Sequence, residues 1–180
     1  MSDAILNNSY NILGLDNSSS EKEILIRSKE ISNLIKIDET PDFEIDIGNV
    51  KSLRIEQNVK EALQILSDSK KRVKEYFFWF DIQDSTDEDA VSNIRDKNYS
   101  EAIKVWKEGI EKNNSKGIFY KKNLAVLYIL LLSIGEQNEN YVKESLDLWI
   151  ELVKSEKFWE NYIKFYKLND HLNTSTSILD

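Results

Sequence analysis

The side chains that most often carry chemistry are few in this sequence, and their spacing matches no catalytic motif. The sequence has no cysteine and a single histidine, His171. Thiolate nucleophiles, cysteine-based zinc sites and paired histidine ligands are therefore excluded. A glycine-rich phosphate loop and a G-x-S-x-G turn are also absent from the sequence. We predict a protein that is not an enzyme, with no catalytic residue, no cofactor and no metal ligand.

Carboxylates are the one abundant reactive group. The 180 residues include 32 acidic and 24 basic side chains, a formal net charge of −8. Five of the acids, and no basic residue, lie in residues 38–49. A calcium loop of the EF-hand type needs a glycine at its sixth position, whereas the first glycine after Asp38 is Gly48. The spacing therefore predicts an exposed loop and not a calcium site.

The charge and the apolar runs also bear on the class of partner. Nucleic acids are bound by clustered lysine and arginine, and the one basic cluster, residues 70–74, is typical of a solvated helix face. The longest apolar run, residues 124–134, is shorter than the roughly 18–20 residues that cross a membrane. We expect no nucleic acid and no membrane contact in this segment. Without a secretory signal at the start, we expect a cytoplasmic location.

Helical periodicity dominates the sequence, which has one proline and five glycines. So few turn residues argue against a barrel or sandwich and favour long helices. Ser20 and Glu23 have the spacing of a capping box, which predicts a helix over residues 21–37. Apolar residues at three- and four-residue steps predict a second helix from Val50 to Leu66. A short helix over residues 70–80 should follow it.

Aromatic residues supply the candidate contact positions. Five of them are consecutive at residues 76–80, so on a helix they would point in all directions and could not face one neighbour alone. We predict that most pack between two units of the chain, while one or two could contact a partner. Three further tryptophans leave the same alternatives open. The candidate partner-binding or interdomain residues are therefore Tyr76, Trp79, Trp106, Trp149 and Trp159.

Three short motifs of the first half occur in a recognisable order. Residues 11–16 read Asn-Ile-Leu-Gly-Leu-Asp, residues 40–42 read Thr-Pro-Asp, and residues 62–72 read Ala-Leu-Gln-Ile-Leu-Ser-Asp-Ser-Lys-Lys-Arg. Together they resemble a J domain of the DnaJ-like proteins, over roughly residues 8–80. This resemblance implies a helical hairpin with short flanking helices.

J domains stimulate the ATPase of the heat-shock chaperone of the seventy-kilodalton class through a His-Pro-Asp motif and a basic second helix. Here Thr40 stands at the histidine position, followed by Pro41 and Asp42, and threonine lacks the imidazole ring and its donors. Residues 21–35 carry three acidic and three basic side chains, so the second helix has no net charge. We expect a degenerate motif that does not stimulate the chaperone. The alternative is a co-chaperone that still delivers clients.

The second half contains an internal repeat. Residues 102–110 recur as residues 145–153, with a small residue, an aliphatic residue and a tryptophan at the same steps. Such a pattern is typical of one helix of a helical hairpin. Residues 98–106 are similar to the second helix of a tetratricopeptide repeat, and this resemblance implies a protein-binding scaffold.

Polar residues 81–87 predict the boundary between the two units. We predict a degenerate J-like domain at residues 1–84, a tetratricopeptide-like helical domain at 85–172 and a flexible tail at 173–180. The expected fold is all-α, with the J-like hairpin packed on an antiparallel, repeat-like bundle. The expected function is a non-enzymatic adaptor or scaffold that binds another protein. The sequence leaves the identity of this protein partner and the oligomeric state open.

Overall fold

The structure is a computed structural model that describes residues 3–112, 115–136 and 138–166. Within these ranges every regular element is a helix and no strand occurs, so the predicted all-α class is confirmed. His171 and the tail predicted at residues 173–180 lie outside the described residues.

The first half consists of short and long helices around a central pair. Its elements are α1 (Asp3–Leu6), α2 (Ser9–Leu13), α3 (Glu21–Ile35), a 3-10 turn (Val50–Leu53), α4 (Glu56–Ser67) and α5 (Ser69–Phe77). Helix α3 begins at the predicted capping box, in which the Ser20 hydroxyl accepts from the Glu23 N–H and the Glu23 carboxylate accepts from the Ser20 N–H. Helix α4 packs on both α2 and α3. Ile24 and Ile31 of α3 and Val59 of α4 are fully buried.

The helix predicted from Val50 to Leu66 is interrupted, and this prediction was wrong at its start. The 3-10 turn ends at Leu53, the backbone of Arg54 and Ile55 is not helical, and α4 begins at Glu56. The Arg54 guanidinium is buried against the loop before it, so a tertiary contact overrides the local periodicity. Helix α5 likewise ends at Phe77, and the last residues of the aromatic run lie outside it.

The second half is a series of consecutively packed helices. Its elements are α6 (Ser85–Arg95), α7 (Tyr99–Glu111), α8 (Gly117–Ser133), α9 (Glu139–Val153) and α10 (Glu156–Tyr166). From α6 to α10 each helix packs on the next, and the short connections between these neighbours place them antiparallel. Residues 122–128 of α8 are buried on every side, whereas Leu132 and Ile134 at the end of the apolar run are exposed. The first part of the apolar run therefore lies in a buried central helix.

The hydrophobic core continues across the two halves. One cluster of buried side chains extends from Ile5 of α1 to Leu131 of α8, and α1 packs directly on α8. A second cluster joins Phe77 of α5 to Leu152 of α9 and Tyr162 of α10. The division at residues 84 and 85 stays a prediction, because the core on its two sides is shared.

A buried ion pair connects the segment after α5 to α8. The Lys122 ammonium lies 2.8 Å from the Asp81 carboxylate, donates to the Trp79 carbonyl oxygen at 2.6 Å and lies 3.8 Å from the centre of the Tyr76 ring. The Tyr76 hydroxyl donates to Asp81 at 3.0 Å. The Asn123 side chain accepts from the Asp81 N–H and donates to the Asp81 carbonyl, both at 2.7 Å. We call these five residues the Lys122–Asp81 cluster.

Burial makes this pair a strong constraint on the fold. The Lys122 and Asp81 side chains are at most 1% exposed. Burial lowers the pKa of the Lys122 ammonium, and the adjacent Asp81 carboxylate opposes that shift. Removing the partner of a buried charge lowers the free energy of unfolding far more than removing the partner of an exposed charge, because water cannot replace the lost interaction.

We expect the substitution Lys122→Met to lower the free energy of unfolding by about 3–5 kcal/mol, because it leaves the Asp81 carboxylate buried without a cation. The methionine keeps the aliphatic stem, so the loss of packing is small. The measurement is equilibrium denaturation in urea, followed by circular dichroism.

The double variant Lys122→Met with Asp81→Asn should recover part of this loss, because it removes the unpaired charge as well. The control Lys104→Met breaks an exposed pair with Glu101 and should have little effect. A loss in Lys122→Met no larger than in Lys104→Met would contradict the structural role of the buried pair.

Candidate functional site

The loop between α3 and α4 carries Thr40, Pro41 and Asp42, the three residues that the sequence analysis assigns to a degenerate J motif. Thr40 and Asp42 are exposed, and Pro41 is half-buried. The Asp42 carboxylate lies 3.1 Å from the Lys51 ammonium and 3.7 Å from the Arg95 guanidinium. The hydrogen bond from Lys51 lowers the pKa of Asp42. The motif aspartate is therefore held by two cations of its own chain.

A buried arginine fixes the conformation of this loop. The Arg54 guanidinium forms a two-pronged ion pair with the Asp46 carboxylate. It also donates to the carbonyl oxygens of Ile12 and Pro41, each at 2.9 Å. Because Asp46 and Ile47 are buried, the expectation of a wholly exposed loop was wrong. The ion pair brings this part of the loop inside, next to α2.

Phe43 closes the same loop over the end of α2. Its ring centre lies 4.0 Å from the Arg27 guanidinium carbon and 4.6 Å from that of Arg54. Gly14 ends α2 with a φ of 58°, and a Cβ at this position would overlap the Phe43 ring. This arrangement was not predicted from the sequence. A signal for it is present, because apolar residues alternate with the acids of the loop at Phe43, Ile45 and Ile47.

The outward surface of α3 has both signs of charge. Arg27 donates to the Gly14 carbonyl oxygen at 3.0 Å and pairs with Glu30 at 3.2 Å. Glu23 is engaged in the helix cap. In the basic cluster at residues 70–74, the Arg72 guanidinium donates to the Tyr10 hydroxyl at 2.9 Å. Arg27 and Arg72 are therefore engaged within the chain, whereas Lys70, Lys71 and Lys74 of the basic cluster are exposed.

Three of the candidate aromatic residues lie inside the molecule. Tyr76, Trp79 and Trp106 are at most 2% exposed. The Trp79 indole N–H donates to the Leu15 carbonyl oxygen at 3.0 Å. The Trp106 ring stacks on Phe80 with 5.7 Å between ring centres. Residues of both halves surround these side chains, so a partner on the surface does not reach them in this structure.

The other two candidate tryptophans are half-buried near the second cluster. The ring centre of Phe77 lies 6.0 Å from that of Trp149 and 6.4 Å from that of Trp159. The Trp159 indole N–H donates to the Val153 carbonyl oxygen at 2.8 Å. Each tryptophan keeps part of its ring at the surface. A role in partner binding stays a prediction for these two residues.

Asp87 is a buried carboxylate in the first turn of α6. It accepts from the indole N–H of Trp106 at 2.9 Å, from the Asn123 amide at 3.0 Å and from the Gln83 N–H at 3.0 Å. Burial raises the pKa of Asp87 to about 6. Such a pKa is in the range of general acids. However, its oxygens are occupied by protein donors and it does not line the groove described below, so we assign it a structural role.

An apolar face of α9 is open to solvent. Val142, Leu146, Ile150 and Val153 are 49%, 57%, 48% and 38% exposed. Steps of four, four and three residues place them on one side of the helix. We call these four residues the α9 stripe.

The internal repeat shows how unusual this exposure is. The α7 positions that correspond to the stripe, 43 residues earlier, include Tyr99, Ile103 and Ile110. All three are half-buried and pack against the core. Lys107 of α7 also pairs with Glu144 of α9 at 3.1 Å. The side of α7 is therefore covered, whereas the same side of α9 has no neighbouring helix among the described residues.

A long groove lies between the two halves. Its volume is about 1440 Å³. One wall is formed by α3 and the loop at residues 42–45, and the other by α6 and α7. Asp42 and Arg95 both line it. Asp42 therefore lies next to the C-terminal helices across the groove. This proximity was not predicted from the sequence.

Two searches of the described ranges and three comparisons complete the description of the site. No helix in these ranges is long and apolar enough to cross a membrane. No group of three or more histidine, cysteine or acidic side chains in them is arranged to hold a metal ion. Comparison with models of known protein families, with curated proteins and with solved structures found no match to this chain. The site is interpreted from its own geometry.

We expect stability to depend on pH through Asp87. The folded-state pKa of Asp87 is about 6, which lies above the ordinary value near 3.9 for an aspartate. The contribution of Asp87 to the free energy of unfolding is therefore complete below about pH 4 and is lost as the pH rises through 6. Between pH 5 and 7 the free energy of unfolding should fall by about 1 kcal/mol more than in Asp87→Asn.

Urea denaturation at half-unit pH steps measures this difference. The control Asp89→Asn changes an exposed carboxylate on the same helix and should keep the pH slope of the unmodified protein. Equal slopes for the unmodified protein and Asp87→Asn would contradict the elevated pKa.

Proposed function

We propose that the protein is a non-enzymatic adaptor that binds another protein through its C-terminal helices. The α9 stripe is the observation that carries this proposal. Contiguous apolar surface on an otherwise polar exterior marks sites of protein interaction. Four aliphatic side chains on one helix face are what a partner helix or groove covers in such complexes.

The surroundings of the stripe support the same conclusion. Lys143, Asp147 and Lys154 are exposed and follow one edge of the stripe in the helical register. Half-buried Trp149 lies at the opposite edge and is held by Phe77. An apolar centre with a charged rim and an aromatic neighbour is the usual composition of a protein interface.

The same proposal includes a J-like first half and tetratricopeptide-like helices in the second. The J-like assignment rests on the order of the three sequence motifs, and Thr40, Pro41 and Asp42 lie in the loop between the packed helices α3 and α4. The repeat-like assignment rests on the recurrence of residues 102–110 at 145–153, in which Ala102 and Ser145 are both buried.

Three properties of the motif loop argue against chaperone stimulation. Thr40 stands at the histidine position, the Asp42 carboxylate is paired with Lys51 and Arg95, and the charges of α3 balance. A basic helix would be needed to meet an acidic docking surface, and a free Asp42 carboxylate would be needed to contact a cation of the partner. The co-chaperone is the alternative function, and the assay below separates the two.

We expect the double variant Leu146→Glu with Ile150→Glu to lose the protein that the unmodified chain captures, because two buried carboxylates would be unpaired in the interface. Capture from extracts of the source cells at low salt, with quantitative mass spectrometry of the bound proteins, measures this. The control Leu25→Glu with Ile37→Glu adds the same charges at exposed aliphatic positions of the first half.

The control variant should retain the partner. Capture of the same protein by the stripe variant would contradict the proposal. So would a homodimer, detected by sedimentation, that dissociates only in the stripe variant, since the stripe would then join two copies of this chain.

In a steady-state assay we expect the protein to leave the ATPase of the seventy-kilodalton-class chaperone at its basal rate. An active J-domain protein serves as the positive control. The variant Thr40→His should also remain inactive, because Asp42 stays paired and α3 stays neutral. Clear stimulation by the unmodified protein would instead support the co-chaperone function.

A further inference from the structure

We infer that the groove between α3 and α6–α7 binds a positively charged polypeptide segment that also carries apolar side chains. The groove shares no residue with the α9 stripe. This inference therefore goes beyond the proposed function and assigns the chain a second docking surface with a partner of defined chemistry.

The size of the groove favours a polypeptide. Its volume of about 1440 Å³ exceeds the roughly 300–1,000 Å³ of pockets that enclose small molecules. It is open to solvent, and most of its lining residues come from α3, the loop at residues 42–45, α6 and α7. An open groove of this volume can hold an extended or helical segment.

The charge of the groove selects the sign of its occupant. Eight of its lining side chains are acidic and three are basic, a net charge of −5. Two of the bases are already paired within the chain, Arg27 with Glu30 and Arg95 with Asp42. Glu88, Asp89, Glu108 and Glu44 have no ion pair among the described residues. Lysine or arginine side chains of a partner would neutralise them.

Apolar residues that line the groove explain why the occupant needs apolar side chains. Ile26 of α3 is 55% exposed in the groove, and Ile45, Ile82 and Val105, which also line it, are half-buried. A merely solvated acidic surface does not require aliphatic groups among its charges. Covering them removes apolar surface from water, which adds affinity that charge alone does not supply.

Small cations fit the same features less well. No metal-holding group of acids was found in the described ranges, so the carboxylates are spread along the walls and not gathered at a point. A bare cation would also leave Ile26 and its neighbours uncovered. A basic segment that also carries apolar side chains can pair with the acidic residues of the groove and cover its apolar lining residues.

The experiment uses fluorescence anisotropy with a labelled synthetic peptide of about 14 residues, with lysine and leucine at helical spacing. There are two control peptides. The first has glutamate in place of every lysine, and the second has serine in place of every leucine. We expect saturable binding of the first peptide, which weakens with salt because the charges are screened. Both control peptides should bind at least about tenfold more weakly.

A matched pair of protein variants locates the binding. The groove variant Asp89→Lys with Glu108→Lys changes two lining acids, one on α6 and one on α7. The control Asp96→Lys with Glu111→Lys changes the same residue types at the ends of the same two helices, outside the groove, and adds the same charge. We expect the groove variant to bind about tenfold more weakly, and the control about twofold at most.

The outcomes separate this inference from the adaptor proposal. The variant Leu146→Glu with Ile150→Glu alters only the α9 stripe and should bind the peptide as the unmodified protein does. Equal weakening in the groove and control variants would overturn the inference, because it would assign binding to the overall charge. If the serine peptide bound as tightly as the leucine peptide, the inference would be overturned as well, because the apolar residues of the groove would then have no role.

Discussion

The buried pair of Lys122 and Asp81 is the constraint on which the rest of the structure depends. A lysine on the buried side of a central helix must find a counter-charge inside the protein, since water does not reach it. That counter-charge and its supporting groups come from the segment after α5. Satisfying one ammonium therefore attaches the first half of the chain to α8 in one orientation.

This attachment determines which surfaces are available for binding. It buries Tyr76, Trp79 and Trp106 between the halves, so they act as packing groups. It also places α3 opposite α6 and α7, which forms the acidic groove. The Asp42 carboxylate pairs with cations of its own chain, and the groove and the α9 stripe are among the surfaces that stay open. These are the two surfaces that we propose for binding other proteins.

Features that depend on neighbouring residues could be predicted from the sequence. The capping box at Ser20 and Glu23 begins α3 as expected, because both groups belong to one helical turn. The repeat of residues 102–110 at 145–153 falls on helices α7 and α9, where a helix was expected. The interruption at Arg54 could not be predicted, because its causes are a loop acid and the carbonyl groups of α2.

The sequence by itself determined the helical class, the sign of the overall charge, the absence of cysteine and the presence of a single histidine. Only the tertiary structure decided that Asp87 is buried with an elevated pKa, that Asp46 lies inside with Arg54, and that the α9 stripe remains uncovered. The physical reason is the range of the interactions. Helix propensity and capping act within a few residues, whereas burial and ion pairing depend on groups that approach only when the helices pack.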